Sequence, residues 1–417
     1  MARSRRAKSN SIAGLDIGSG KVRCLIGAPD DSGRLEVIGG AAVPCQGVKG
    51  GVVVNIEETA EAIAICIERA EAQTKTKVSD VFLGVRGVHI QSLNNRGAFN
   101  IARSDKEVTA ADVQSVIANA KAVGLSSERE ILHVVPQGFS LDRQRGVPSP
   151  VGMEGSLLEV DVHLVTASTT QLNNVMKSVA KAGFAVIEPI YSLLAVGEQL
   201  VTKEEQDLGT LLIDFGGQSI SLGIYSEGSL RYSKELGIGA DSITRDLAFG
   251  LETSLLTAER VKIEHGAAHP SLRKDDRDIE FPGIDGRTKT KIKASAMMAI
   301  ILPRVEEIFD IIADELEASP FKNAIGPSGA ILTGGGSLMR GTALAAAQVL
   351  EMKARLGVAH PDKVLVDQQW LDPGYATALG LLTFSSQPRW GTGATQNAGR
   401  NTPAWLRKII SILEELF

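Results

Sequence analysis

Two stretches of the chain carry the same turn. In SIAGLDIGSGKVRCLIGA, apolar residues flank Asp16-Ile17-Gly18-Ser19-Gly20-Lys21, and in TLLIDFGGQSISLGIYSEG they flank Asp214-Phe215-Gly216-Gly217-Gln218-Ser219. Apolar runs on both sides of a glycine turn read as two paired strands. One such hairpin is ordinary; two of them, half a chain apart, point to a fold built from two related halves. The chemistry lies in the turns. Glycines let backbone N–H groups approach an anion closely, and an Asp beside them can hold a hydrated Mg²⁺ by charge. Ser19 and Lys21 add a hydroxyl and a positive charge on the phosphate side.

A third glycine cluster follows in GAILTGGGSLMRGTALAAAQVL, where an apolar run ends in Thr333-Gly334-Gly335-Gly336 and passes into a helical pattern. A strand feeding a helix through glycines sets backbone flush against a flat ring or a phosphate, although a packing turn reads the same way. Other glycine motifs fail on inspection. GSGK at 18–21 has Leu15 where a P-loop needs its first glycine and Val22 where it needs Ser or Thr. A dinucleotide fingerprint starting at Gly18 or Gly334 meets Arg23 or Met339 where its third glycine belongs. Between the second and third clusters, Glu259 and Lys262 sit three apart on one helical face, a spacing shared by surface ion pairs.

The 417 residues are long enough for two or more domains. A net charge of −5 gives no basic surface for nucleic acid, which is not an expected partner. Cys24, Cys45 and Cys66 form no Cys-x-x-Cys pair, so neither a disulfide nor a zinc site is expected. Residues 1–10 read as a basic disordered arm, not a secretory signal, because no apolar core follows Arg3, Arg5, Arg6 and Lys8. Residues 385–402, rich in Gly, Ser, Thr, Asn and Gln, read as a flexible linker. Beyond it, Thr402 and Pro403 suit a helix start, and residues 403–417 read as an amphipathic membrane-targeting helix. Trp405, Leu406, Ile409, Ile410, Ile412, Leu413, Leu416 and Phe417 fall within about 160° of one another on the helical wheel. A rod of about 22 Å is too short to span a bilayer and suited to lie in its interface. Two basic and two acidic residues on the other face leave apolar burial to supply most of the lipid binding, and a docked terminal helix would share the pattern.

The three glycine elements in this order, with Glu259 and Lys262 between them, resemble the nucleotide-binding superfamily of actin, the heat-shock chaperones and the sugar kinases. Within it the chain is most similar to the FtsA family of bacterial cell-division proteins, through LDIGSGKVRCLIG, VRGVHIQS, HVVPQGFSLD, SPVGMEGSLLEVDVHLVTAS, GIGADSITRDLAFGL, AERVKIEHGAA, ILPRVEEIFDII, ILTGGGSLMRG and PGYATALGLL. The resemblance implies an α/β, actin-like, two-lobed ATPase fold with a family-specific inserted subdomain. ATP and Mg²⁺ would lie in the cleft: Asp16, Gly18, Ser19 and Lys21 match the first phosphate motif, and Asp214, Gly216 and Gly217 the second. Gly334, Gly335 and Gly336 match the adenosine motif, and Glu259 with Lys262 the pair flanking it. Asp16, Asp214 and Glu188 match the acids that position the metal.

By the same resemblance the first lobe comprises 11–82 and 167–204 with 367–384, and the inserted subdomain 83–166. The second-lobe core covers 205–240 and 313–366, and its outer subdomain 241–312. The implied role is to tether filaments of the tubulin-like FtsZ, held by their C-terminal tail, to the cytoplasmic face of the membrane at the division septum. The protein would polymerise and meet other division proteins through the insert. ATP would act mainly as a structural and switching ligand, with weak hydrolysis at most. Arg287, Lys289, Lys291 and Lys293, beside the helical pattern of 291–310, offer positive charge to an acidic, apolar tail. A small-molecule kinase or a pilus-assembly ATPase of the same superfamily are the alternatives; the first lacks a carboxylate singled out as base, and the terminal helix disfavours both.

Overall fold

The computed structural model describes residues 11–272, 276–360 and 363–384. The basic arm, the linker and the terminal helix expected from the sequence lie outside the described residues. The chain opens with β1 (Ile12–Ile17), β2 (Lys21–Pro29) and β3 (Leu35–Pro44), an antiparallel meander, followed by the short ladder of β4 (Val48–Lys49) and β5 (Val52–Val53). Helix α1 (Ile56–Thr74) starts where Asn55 Oδ1 accepts the Glu58 N–H at 3.2 Å, and it buries Ile63, Cys66, Ile67 and Ala70, one face at helical spacing. Strand β6 (Asp80–Val85) then pairs parallel with β1. Cys24, Cys45 and Cys66 are buried thiols, and burial pushes the Cys66 thiol up to about 12.

An excursion of four strands and one helix follows: β7 (Gln91–Asn100), α2 (Ala110–Lys121), β8 (Arg129–Leu141), β9 (Gln144–Val147) and β10 (Leu157–Ser168). Thr109 and Asp112 cap α2 reciprocally, so this helix begins where its sequence says it does. The strands order β7-β10-β8-β9 and enclose a core of their own, including Val116, Ile117, Leu158 and Val162. The boundary expected at 83 falls inside β6, whose residues pair in the first sheet, so the excursion begins after Arg86. The chain returns through α3 (Thr169–Lys181) and β11 (Ala185–Tyr191) to complete a sheet of order β11-β6-β1-β2-β3.

Helices α4 (Ser192–Leu200) and α5 (Lys203–Leu208) lead into β12 (Thr210–Phe215), β13 (Ile220–Ser226) and β14 (Ser229–Leu236), again an antiparallel meander. After α6 (Asp241–Gly250), α7 (Leu255–His265) and the hairpin of β15 (Asp278–Pro282) and β16 (Lys289–Lys293) comes α8 (Ala294–Ala318). It runs through Pro303 and buries Met297, Ile301, Val305, Ile308, Ile312 and Leu316, so the expected boundary at 312 cuts a continuous helix. Strand β17 (Ala330–Thr333) pairs parallel with β12, and α9 (Thr342–Val349) and β18 (Ala354–Leu356) close a second sheet of order β14-β13-β12-β17-β18.

The two sheets have the same topology: β1, β2, β3, β6 and β11 correspond in order and direction to β12, β13, β14, β17 and β18. Each has its own core, the first including Leu15, Leu83 and Leu193, the second Ile213, Phe215 and Phe309. The last helix among the described residues, α10 (Ala376–Phe384), returns to the first half, where a carbon added at Gly380 would lie 2.1 Å from the Ala195 carbonyl of α4. Only glycine permits that crossing. The inserted sheet docks on the edge of the second: Ser92 Oγ donates to the Ser233 carbonyl at 2.7 Å, Asn94 Nδ2 to Arg231 at 3.0 Å and Gln137 Nε2 to Leu230 at 2.9 Å.

Candidate functional site

The duplicated turns superpose in their hydrogen bonding as well as their sequence. Gly18 N–H donates to the Lys21 carbonyl, and Gly216 N–H to the Ser219 carbonyl, both at 3.0 Å. Each turn joins the two strands that carry its aspartate, Asp16 at the end of β1 and Asp214 at the end of β12. Because β1 and β12 occupy equivalent sheet positions, the carboxylates converge: each is 2% exposed, and both lie within reach of one guanidinium. That guanidinium belongs to Arg86, next after β6. Its Nη2 stands 3.3 Å from Asp16 Oδ1 and 3.1 Å from Asp214 Oδ2, and it also donates to Thr377 Oγ1. Arg23, on β2, approaches Asp16 Oδ2 at 3.9 Å and lies over the Tyr375 ring at 5.6 Å.

Burial opposes the charge on Arg86, but Asp16, Asp214 and Glu235 outweigh it and hold the guanidinium protonated more firmly than usual. Burial pushes the Asp214 carboxyl up, with Arg86 pulling it back. Glu235, on β14, accepts the Tyr191 hydroxyl at 2.8 Å and the Gly87 N–H at 3.1 Å, and burial raises it to about 7. Gln218 ties the second turn to the first half: its Oε1 accepts the Gly50 N–H at 3.0 Å and its Nε2 donates to Asp241 Oδ2 at 2.8 Å.

The third cluster stands against the second turn. Gly334 adopts a φ of 81°, in the region that disfavours side chains, and a carbon added there would lie 2.4 Å from Asp214 Oδ1. Gly336 backs onto the Phe215 ring, whereas a carbon added at Gly335 would meet nothing within 4 Å. The glycines open into a 3₁₀ turn, Gly335–Leu338, before α9, so the expected helix starts later than its pattern suggests. Lys262 and Glu259 pair at 2.7 Å on α7, and Lys262 Nζ also donates to the Ala240 carbonyl at 3.1 Å and Thr244 Oγ1 at 2.7 Å. The lysine is buried against α6, the helix whose Ala240 and Asp241 N–H groups bind back to the second turn. This pair is anchored in the fold, not loose on the surface.

The structure thus gathers Asp16, Gly18, Ser19, Lys21, Asp214, Gly216 and Gly217 on the two turns, with Gly334, Gly335 and Gly336 beside the second. Glu188 is not brought to the aspartates. On the edge strand β11 it sits level with Phe82 and Gly14, whereas Asp16 is level with Gly84 and Ile190. For Mg²⁺ the donor set does not fit. The cation needs oxygens at about 2.0–2.1 Å and a full shell of waters or carboxylates, and a fixed positive group already touches both expected acids. Among the described residues no group of three or more His, Cys, Asp or Glu is placed to hold a metal. Arg86 is the site residue that sequence reasoning missed; its only local signal is a charged residue ending the apolar run VFLGV.

Two family models match the chain: "Cell division protein FtsA" over residues 211–380 and "SHS2 domain inserted in FTSA" over 87–166. The chain is 36% identical to the cell division protein FtsA of Pseudomonas aeruginosa over 376 residues, covering 90% of this chain and 89% of that one. It is 30% identical to FtsA of Escherichia coli over 415 residues, 97% of this chain and 98% of that one. Among solved structures it resembles the PilM-PilN type IV pilus biogenesis complex, with a TM-score of 0.66 at 18% identity, covering 90% of this chain and 99% of that one. It also resembles MreB5 of Spiroplasma citri bound to ADP, with a TM-score of 0.53 at 13% identity, covering 90% and 95%. These structural likenesses establish the actin-like fold.

Proposed function

The chain belongs to the FtsA family of cell-division proteins, and from that premise we propose that it is an ATP-binding, self-associating adaptor that tethers FtsZ filaments to the cytoplasmic face of the membrane at the septum. The observation that supports nucleotide binding is the convergence of the two Asp-x-Gly turns with the open glycine at 335. Backbone N–H groups of both turns would cradle the phosphates, Lys21 would add charge, and the adenosine would lie along Gly334–Gly336, flanked by Glu259 and Lys262. Such a ligand touches both halves and so favours their assembled state; hydrolysis is not required of it.

The outer part of the second half, α6 to α8 with the β15–β16 hairpin, is the proposed seat of the FtsZ tail. A cavity of about 430 Å³ there is lined by Leu251, Phe281, Ile284 and Ile292 with Lys291, Glu252 and Asp285, so that its walls are apolar with charges of both signs, and Lys291 is the basic group it offers to an acidic tail. The inserted subdomain, residues 87–166, is the proposed contact with other division proteins and neighbouring copies. Among the described residues no helix is long and apolar enough to cross a membrane, and lipid attachment is assigned to 403–417.

Co-sedimentation with anionic vesicles, with and without residues 401–417, in the presence of a labelled FtsZ-tail peptide, tests this reading. The full chain should carry the peptide to the vesicles and the shortened chain should bind the peptide in solution only. A shortened chain that still pellets with lipid, or a full chain that ignores the peptide, refutes it.

A further inference from the structure

Arg86 has no part in the nucleotide-binding arrangement just described, yet it stands at its centre. The side chain is 12% exposed, and one terminal nitrogen contacts an aspartate from each half of the molecule. Its other terminal nitrogen faces the second turn: a carbon built on Gly216 would lie 3.9 Å from Nη1. An arginine does not lose its proton in a protein, so this is a permanent, directional cation. It does part of what a divalent ion between two carboxylates does: one positive charge against two negative ones offsets much of their repulsion, and Nη1 is turned toward the second turn.

We propose that Arg86 is a built-in replacement for the divalent cation, so that a nucleotide polyphosphate entering between the two turns is neutralised by guanidinium and binds with little dependence on metal. The proposal rests on the nucleotide reading of the same cleft. It also has a consequence independent of nucleotide. With Arg86 in place the two aspartates do not take up a free divalent ion; with Arg86 removed they become an acidic pair open to one.

The test uses the full chain, wild type and Arg86→Ser, with Arg86→Lys as a variant that keeps the charge but loses the planar fork. Binding of the non-hydrolysable analogue AMPPNP is measured by calorimetry in excess magnesium chloride and in excess EDTA. Binding of Mn²⁺ alone is followed by the loss of its free EPR signal. Wild-type affinity should differ by less than about threefold between the two conditions, whereas Arg86→Ser should weaken at least about tenfold in EDTA and recover with magnesium. Mn²⁺ alone should bind Arg86→Ser and not the wild type. A wild type that loses AMPPNP in EDTA, or that binds Mn²⁺ without nucleotide, overturns the proposal even if both variants fail to fold. If no protein binds AMPPNP in any condition, the nucleotide reading fails, and the Mn²⁺ comparison still decides whether Arg86 holds the cation position.

Discussion

Gly335→Leu separates the nucleotide site from the fold, because its two neighbours do not. At Gly335 the backbone is not in the left-handed region and an added carbon meets nothing within 4 Å, so the apo protein should change by no more than about 0.5 kcal/mol. At Gly334 the φ of 81° and the 2.4 Å approach to Asp214 Oδ1 make even alanine strained, at a cost of about 1–3 kcal/mol. Ligand at 100 times its Kd stabilises the native state by about 2.7 kcal/mol. With an unfolding entropy of about 2.1 cal/mol/K per residue over 417 residues, that is a rise in Tm of about 3 °C. Differential scanning fluorimetry with saturating AMPPNP reads both quantities. Gly335→Leu should keep the apo Tm and lose the 3 °C rise, while Gly334→Ala should melt earlier with or without ligand. A Gly335→Leu protein that keeps the full rise removes the adenosine from this cluster; one that melts several degrees early contradicts the open space in front of it.

Three further outcomes are expected. Glu235 holds its proton up to about pH 7 in the folded state, against an ordinary value of 4.5, so native protein binds more protons than unfolded chain between these values and stability falls as pH rises through that window. The effect is at most about 3 kcal/mol. Because buried His89 and His163, lowered to about 4, act with the opposite sign below pH 6.5, the diagnostic is the difference in Tm: Glu235→Gln should overtake the wild type above pH 7. Lys291 and Lys293 both pair with Asp278, at 2.8 and 2.9 Å, and reversing both to Glu should weaken FtsZ-tail binding at least about tenfold by fluorescence anisotropy; unchanged binding removes the hairpin from the tail site. Ile409→Glu with Leu413→Glu puts two charges into the apolar arc of 403–417, and with about 1.5 kcal/mol or more lost per buried side chain should release the protein from vesicles without altering AMPPNP binding; a Tm fall of many degrees instead marks the helix as part of the core.

The parts of this architecture that were legible in the sequence are those whose cause is local. The hairpins around Asp16 and Asp214 announce themselves because apolar strands and glycine turns are adjacent in the chain, and α2 because Thr109 and Asp112 cap it within one turn. Arg86 was not legible: its partners Asp16 and Asp214 are distant in sequence, and a basic residue after VFLGV also fits a solvated strand end. The boundary at 83 failed for a related reason. A fully buried strand shows no alternation to say which sheet it joins, and residues 81–85 are buried throughout β6. The position of Glu188 is set by the β6–β11 register, a pairing between distant segments that its own stretch of sequence does not record.

Duplication itself creates the electrostatic problem that Arg86 answers. Two copies of one hairpin, at equivalent positions of two sheets, here bring two carboxylates to one guanidinium, and in general two like charges at a separation of about 4 Å and an effective dielectric of about 20 repel by about 4 kcal/mol. Asp16 and Asp214 are too buried to be relieved by water. A cation carried by the chain solves this without any ligand, and because Arg86 and Asp16 belong to the first half and Asp214 to the second, it also links the halves at the floor of the cleft. Gln218 adds a second link at the rim through Gly50. A nucleotide bridging the two turns would add to these links between the halves and so favour their assembled state further.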